Sequence, residues 1–169
     1  MIVVSDTGPI NYLALIQAAD VLPALFGTVL IPGAVDQELR NPRTPDLVRE
    51  WIRTNAECIE VKSVGDPLVT GALHPGEREA ISLAIACSAD VLLVDDSEAR
   101  ELARLNGLVV IGTIGVLERA AREDLVRLDE VFDRLRETNF RISERLLRDA
   151  LRRHRADLES RGLSSAHLR

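Results

Sequence analysis

Four short apolar runs punctuate the chain: Ile2-Val3-Val4, Val29-Leu30-Ile31, Val91-Leu92-Leu93-Val94 and Leu108-Val109-Val110-Ile111. Each is uninterrupted and bounded by polar or turn residues, the pattern of strands buried on both faces of a parallel sheet. Between them the apolar residues recur with helical spacing. Ile10, Leu13 and Ala14 begin one helix, Ala24-Leu25-Phe26-Gly27 closes a short second one, and Val35 and Leu39 mark a third that Asn41-Pro42 breaks. Leu47, Val48, Trp51 and Ile52 form an amphipathic stripe over 46–55. Ala80, Ile81, Leu83, Ala84 and Ile85 almost surround a helix that follows Pro75, so that helix should be deeply buried. Ala99, Leu102 and Ala103 define a helix ended by Gly107. Ile59-Glu60-Val61 reads as an edge strand, 114–122 and 126–135 as helices, and 68–72 as weakly ordered. The last helix starts at Ser143 with Ile142, Leu146, Leu147, Ala150 and Leu151 as its apolar stripe, and 160–169 reads as a frayed end. Strands alternating with helices specify an α/β sandwich around a parallel sheet.

Charge divides this picture in two. The net charge of −6 conceals 11 basic against 21 acidic side chains over 1–132, and 10 basic against 6 acidic over 133–169. An acidic body with an Arg-rich end predicts that the end meets an anion: a nucleic acid, an acidic partner or the body itself. Cys58 and Cys87 are too few for a disulfide framework and read as buried free thiols. His74, His154 and His167 make no zinc pattern. Met1 runs directly into the first strand without a basic leader, and no stretch of eighteen apolar residues occurs, so a cytoplasmic chain without a membrane span is expected.

Acids stand where the strands stop. Asp6 follows the first strand, and Asp95-Asp96 follow the third apolar run. Ligands of α/β sheets sit beyond the carboxyl ends of strands. Two adjacent carboxylates there repel each other, and a divalent cation is the simplest group to offset them. Glu38 lies beside the Val35/Leu39 stripe, and Glu77 lies in the first turn of the buried helix. Asp6 and Glu77 also read as ordinary helix-start acids. Glu79 points about 200° around the helix from Glu77 and reads as solvated. Three or four convergent carboxylates, without a phosphate loop or a Ser-His-Asp set, suit oxygen coordination of Mg²⁺ or Mn²⁺. Such a site activates water and clamps a phosphodiester.

The motifs Ser5-Asp6-Thr7-Gly8-Pro9, the Glu38 helix, Leu73-x-x-Gly76-Glu77-x-x-Ala80-Ile81-x-Leu83-Ala84 and Leu92-Leu93-Val94-Asp95-Asp96 match, in order, the acidic motifs of PIN domains. Gly112-Thr113-x-Gly115-Val116-Leu117 and Asn139-Phe140-Arg141-Ile142-Ser143 extend the likeness over almost the whole chain, which resembles an uncharacterised PIN-like branch related to VapC-type toxin ribonucleases. The resemblance implies a three-layer α/β/α sandwich with a central, mainly parallel sheet over 1–132, and a C-terminal helical extension over 133–169. It implies a Mg²⁺- or Mn²⁺-dependent ribonuclease, with RNA as substrate, an antitoxin protein as partner and a homodimer as assembly. Carried over by residue, Asp6, Glu38 and Glu77 are the first three acids. The fourth is Asp95 or Asp96, since spacing from Glu77 favours one and spacing to Gly107 the other. Alternation along a strand separates their directions, so one is expected to be a ligand, preferably Asp96, and the other a helix cap. Thr7 and Ser97 are expected to orient a carboxylate or water.

Two other readings belong to other classes. An Asp-nucleophile phosphatase would use Asp6, but Gly8 stands where its second acid is expected, and Lys62 is the only lysine. A binding module without catalysis would use the acids as caps and surface charges.

Overall fold

A computed structural model describes residues 1–69 and 72–162. Thr70 and Gly71, inside the stretch expected to be weakly ordered, lie outside the described residues, as does 163–169, most of the expected frayed end. The chain divides into two compact units, Met1–Thr113 and Ile114–Arg169. That division comes before the change of charge at 132/133.

The first unit is built on five strands: β1 (Val3–Ser5), β2 (Val29–Pro32), β3 (Ile59–Lys62), β4 (Val91–Leu93) and β5 (Val110–Ile111). Their order is β3-β2-β1-β4-β5, and every pairing is parallel. Ile59–Lys62 takes the edge position expected of it. Helices α1 (Thr7–Leu15), α2 (Val21–Phe26), α3 (Gly33–Leu39), α4 (Asp46–Thr54), α5 (Pro75–Ala86) and α6 (Ser97–Leu105) make the crossovers. The α/β class read from the apolar runs is therefore the observed one: a parallel sheet flanked by helices.

Register decides which residues share a face. Val4 pairs with Leu30 and Leu92, and these alternate with Val3, Val29 and Val91. Val4, Leu92 and Val94 join Ala80, Ile81 and Ala84 of α5 and Ala99 and Ala103 of α6 in one buried cluster. The small alanines let both helices approach the sheet closely. Pro75 opens α5 at a position where its missing N–H costs nothing. Gly107 follows α6 with φ of +79°, the left-handed turn that ends a helix readily only at glycine.

Strand order sets up the site. From β1 the chain moves outward through β2 and β3, then returns to place β4 on the other side of β1. The carboxyl ends of β1 and β4 therefore flank the switch point of the sheet, where α/β proteins have an open crevice.

The second unit contains α7 (Thr113–Arg122, whose first residue closes the first unit), α8 (Leu128–Arg136) and α9 (Glu144–Ser160). Leu128, Val131, Phe132, Leu135, Leu147 and Ala150 are buried. The Arg136 guanidinium grips Glu144 at 3.1 and 3.2 Å, and Arg153 meets Glu118 at 2.9 Å. Leu146 departs from the expected apolar stripe: it is 56% exposed, because the buried seam of α9 narrows to Leu147 and Ala150. Cys58 is buried and Cys87 half-buried, both as free thiols. Among the described residues no helix is long and apolar enough to cross a membrane.

Two leucines test where the core lies. Leu92 is fully buried and Leu105 is 78% exposed. Leu92→Ala should lower the urea-unfolding free energy by about 2–5 kcal/mol, whereas Leu105→Ala should stay within about 0.5 kcal/mol. Similar losses at both positions would contradict the described packing.

Candidate active site

Asp6 is the first residue beyond β1, and its N–H donates to Leu93 O at 2.9 Å, extending the pairing with β4 by one step. It stands at the N-cap position of α1 in extended conformation, yet its side chain makes no capping hydrogen bond. The residue is only 7% exposed. Burial pushes it from its ordinary 3.8 up to about 7; the charges of Glu77 and Glu38 add to the rise, and the N–H groups of Thr7 and Gly8 oppose it.

Glu38 reaches the same place from α3. Val35 and Leu39 are fully buried and anchor the helix, which leaves Glu38 at the margin of the core. The Thr7 hydroxyl donates a short hydrogen bond to Glu38 Oε2, as an orienting residue would. Gly76 of α5 makes room for this carboxylate: a Cβ at Gly76 would stand 2.9 Å from Glu38 Oε1 and 3.1 Å from Oε2. A second tie joins the two helices. Glu79 Oε2 accepts the Ala34 N–H at 3.0 Å, so Glu79 is not the solvated acid that the helical wheel suggests. The angle between Glu77 and Glu79 is real, but the N-terminus of α3 occupies the direction in which Glu79 points.

Glu77 caps its own helix, with Oε2 accepting the His74 N–H at 3.0 Å. Burial raises its pKa, the Asp96 and Glu38 charges raise it further, and the His74 N–H and the His74 side chain oppose. One carboxylate thus serves the helix terminus and feels the acids around it.

The two aspartates after β4 separate as strand alternation requires. Asp96 is exposed and is the N-cap of α6, with Oδ1 accepting the Ala99 N–H at 2.9 Å. The cap is therefore Asp96 itself, the residue preferred as a ligand although spacing left both open, and its charge still reaches Glu77. Asp95 is turned inward. Its Oδ1 accepts the Thr113 N–H and its Oδ2 the Thr113 hydroxyl, both at 2.7 Å. Burial raises the Asp95 pKa, while the two Thr113 hydrogen bonds and the charge of Arg100 lower it. Ser97, the other residue expected to orient a carboxylate, is exposed, and its hydroxyl makes no hydrogen bond among the described residues.

Reasoning from sequence placed Thr113 and three glycines, Gly8, Gly76 and Gly112, in the motifs but gave them no role. Thr113 is a fully buried polar residue spent entirely on Asp95. A Cβ at Gly8 would lie 3.3 Å from Asp95 Oδ2 and 3.8 Å from Asp6 Oδ2; at Gly112 it would lie 2.9 Å from Asp95 Oδ1. The signal for these roles was their place in the motifs, within two residues of an acid or of a strand end.

The family model DUF3368, a PIN domain, matches residues 2–156. The chain belongs to the PIN-domain family. No curated protein matches it at a significant level. Among solved structures it is similar to a PilT N-terminus domain protein, SSO1118, from the hyperthermophilic archaeon Sulfolobus solfataricus P2. That likeness has 14% identity and a TM-score of 0.48 over 85% of this chain and 100% of the other.

PIN domains are in general nucleases and typically use divalent metal ions. The donors of this PIN domain are hard oxygens, the chemistry that Mg²⁺ and Mn²⁺ prefer. Among the described residues Asp6, Glu38, Glu77 and Asp96 have no Arg, Lys or His ion pair, and only Glu77 has a partial offset, from the His74 side chain. The glycines at 8 and 76 open space against carboxylate oxygens. As they stand, however, no three His, Cys, Asp or Glu side chains among the described residues are gathered closely enough to grip one ion. The donor chemistry fits a divalent cation, and the carboxylates would have to draw together around it.

Burial of Asp6 has a consequence for metal-free stability. A carboxyl whose folded pKa is raised contributes stability that is complete below about 3.8 and is lost as pH rises through about 7. In EDTA, Asp6→Asn should therefore gain on the wild type between pH 4 and pH 8, by at most roughly 4 kcal/mol. Urea unfolding at several pH values measures it. A difference between the two proteins that stays constant with pH would contradict the buried, crowded setting of Asp6.

Proposed function

We propose that this PIN-domain protein is an endoribonuclease that hydrolyses RNA phosphodiester bonds with Mg²⁺ or Mn²⁺, and that it serves as the toxin of a type II toxin–antitoxin pair. The observation that carries the catalytic reading is the buried Asp6 at the sheet's switch point, without an ion pair among the described residues and with Glu38 and Glu77 near enough to raise its pKa. Asp6, Glu77 and Asp96 would hold the cation, with Asp95 behind them. Glu38, steadied by the Thr7 hydroxyl, would coordinate or position the attacking water. A divalent cation held by these residues would supply Lewis acidity, making a water more acidic and offsetting charge on a phosphate. On binding a cation, Asp6 would release the proton that burial favours, so cation binding and proton release would be linked. Thr113 keeps Asp95 from swinging out, which preserves negative charge at the end of β4.

A second reading has its own support. Glu77 and Asp96 accept helix-terminal N–H groups, and Asp95 accepts the first N–H of α7. Three of the acids thus have structural work without any metal, as a non-catalytic PIN-like binding module would need.

Cleavage of a panel of single-stranded and structured RNAs separates the two. Cleavage should require Mn²⁺ or Mg²⁺, stop in EDTA and fall by about 100-fold or more in Asp6→Asn. Mn²⁺ should also raise the melting temperature, more at pH 8 than at pH 5.5, because the cation competes with the Asp6 proton. No cleavage together with no Mn²⁺-dependent stabilisation would leave the binding module.

Gly76→Ala offers a finer check of Glu38. The added methyl must displace the Glu38 carboxylate, so apparent Mn²⁺ affinity should drop about 10- to 100-fold while the far-ultraviolet circular dichroism is retained. Unchanged affinity would remove Glu38 from the cation's surroundings.

A further inference from the structure

The first 132 residues carry ten more acidic than basic side chains, a poor surface for attracting a polyanion. The opposite charge is concentrated on one face of α9. Arg145, Arg148, Arg152 and Arg155 are all exposed, with side-chain exposure of 85% for Arg145 and 80% for Arg152. At 100° per residue the four fall within an arc of about 80° and rise about 15 Å along the helix. Like charges three and four residues apart repel on a helix surface. Asp149 offsets part of this, at 3.9 Å from Arg145 and 3.4 Å from Arg152. Arg148 and Arg155, two turns apart on the same side, form no ion pair among the described residues. The Glu144 carboxylate that feels the charge of Arg148 is already gripped by Arg136. The buried seam of the helix, Leu147 and Ala150, lies elsewhere on its circumference; Arg155 stands at the margin of the face, lining a cavity with Leu151, His154, Asp124 and Asp129.

We propose that the Arg145, Arg148, Arg152 and Arg155 face of α9 binds the phosphodiester backbone of single-stranded RNA; this rests on the RNA reading of the function. Each basic group of the face is an Arg, whose planar fork meets two phosphate oxygens at once. A row about 15 Å long meets several successive phosphates of an extended strand. Duplex RNA suits the face less well, since its major groove is too narrow to admit side chains and its minor groove is shallow.

Fluorescence anisotropy with labelled twenty-nucleotide oligo(U), in EDTA and across a salt series, tests it on the full chain. Alanine is a strong helix former, so Arg148→Ala/Arg155→Ala should fold as the wild type does. The slope of log affinity against log salt should become shallower by about 1.4, at about 0.7 for each phosphate that an arginine no longer neutralises. Arg148→Lys/Arg155→Lys should restore most of the slope, because charge rather than packing carries the binding. Twenty-nucleotide oligo(dT) should respond in the same way, and a blunt RNA duplex should bind more weakly. An affinity and slope unchanged in the alanine variant overturn the inference. A protein that binds oligo(U) through this face yet cleaves nothing leaves the inference standing and removes the nuclease. Cleavage combined with binding indifferent to both variants removes the inference alone.

Discussion

Acidic side chains crowded at one edge of the sheet, the most buried of them resisting ionisation, are the constraint around which the first unit is arranged. Asp6 is buried, its neighbours Glu77 and Glu38 are acids, and no described cation side chain balances them. A folded chain can tolerate that in two ways. It can keep a proton on the most buried group, as the rise of Asp6 to about 7 describes, or it can exchange the proton for a cation. Both keep Asp6 useful near neutral pH, and the second is the chemistry of a metal-dependent hydrolase.

The repulsion is imposed by backbone architecture and relieved by local hydrogen bonds. Parallel strands bring the ends of β1 and β4 to one edge of the sheet, and the close approach of α3 to α5 over Gly76 brings Glu38 toward them. Against this, N–H groups at three helix starts offset part of the charge: His74 with Glu77, Ala99 with Asp96 and Thr113 with Asp95. Helix N-termini carry partial positive charge, so they are natural counterweights to clustered acids. Structural duty at these residues does not preclude the cation binding proposed for them. Each carboxylate has two oxygens with several lone pairs, enough to hold a backbone N–H and still face the crevice.

Electrostatics divides the chain further. The first 132 residues are strongly acidic, and the Arg-rich face of α9 is the counterpart that would attract RNA. If the chain acts on RNA as proposed, such a basic surface would offset the repulsion between an acidic protein and a polyanion.

Local patterning by itself determined the strands, most of the helices and the candidate acids. Buried parallel strands such as Val91-Leu92-Leu93-Val94 must be apolar on both faces, and an acid that terminates such a run must lie at the sheet edge whatever the loops do. The order of those acids was enough to identify the PIN-domain family. Only the tertiary structure decided what each acid touches. Glu79 is a tie to Ala34 because α3 begins against it, and no helical wheel contains a neighbouring helix. Asp96 rather than Asp95 caps α6, and Asp95 turns to Thr113, eighteen residues away in sequence and adjacent across the β4–β5 edge. The glycines at 8, 76 and 112 acquire meaning in the same way: what a missing Cβ makes room for depends on strand register and helix approach. Periodicity encodes which face of an element is apolar. The partner at that face is set by packing between elements far apart in the chain.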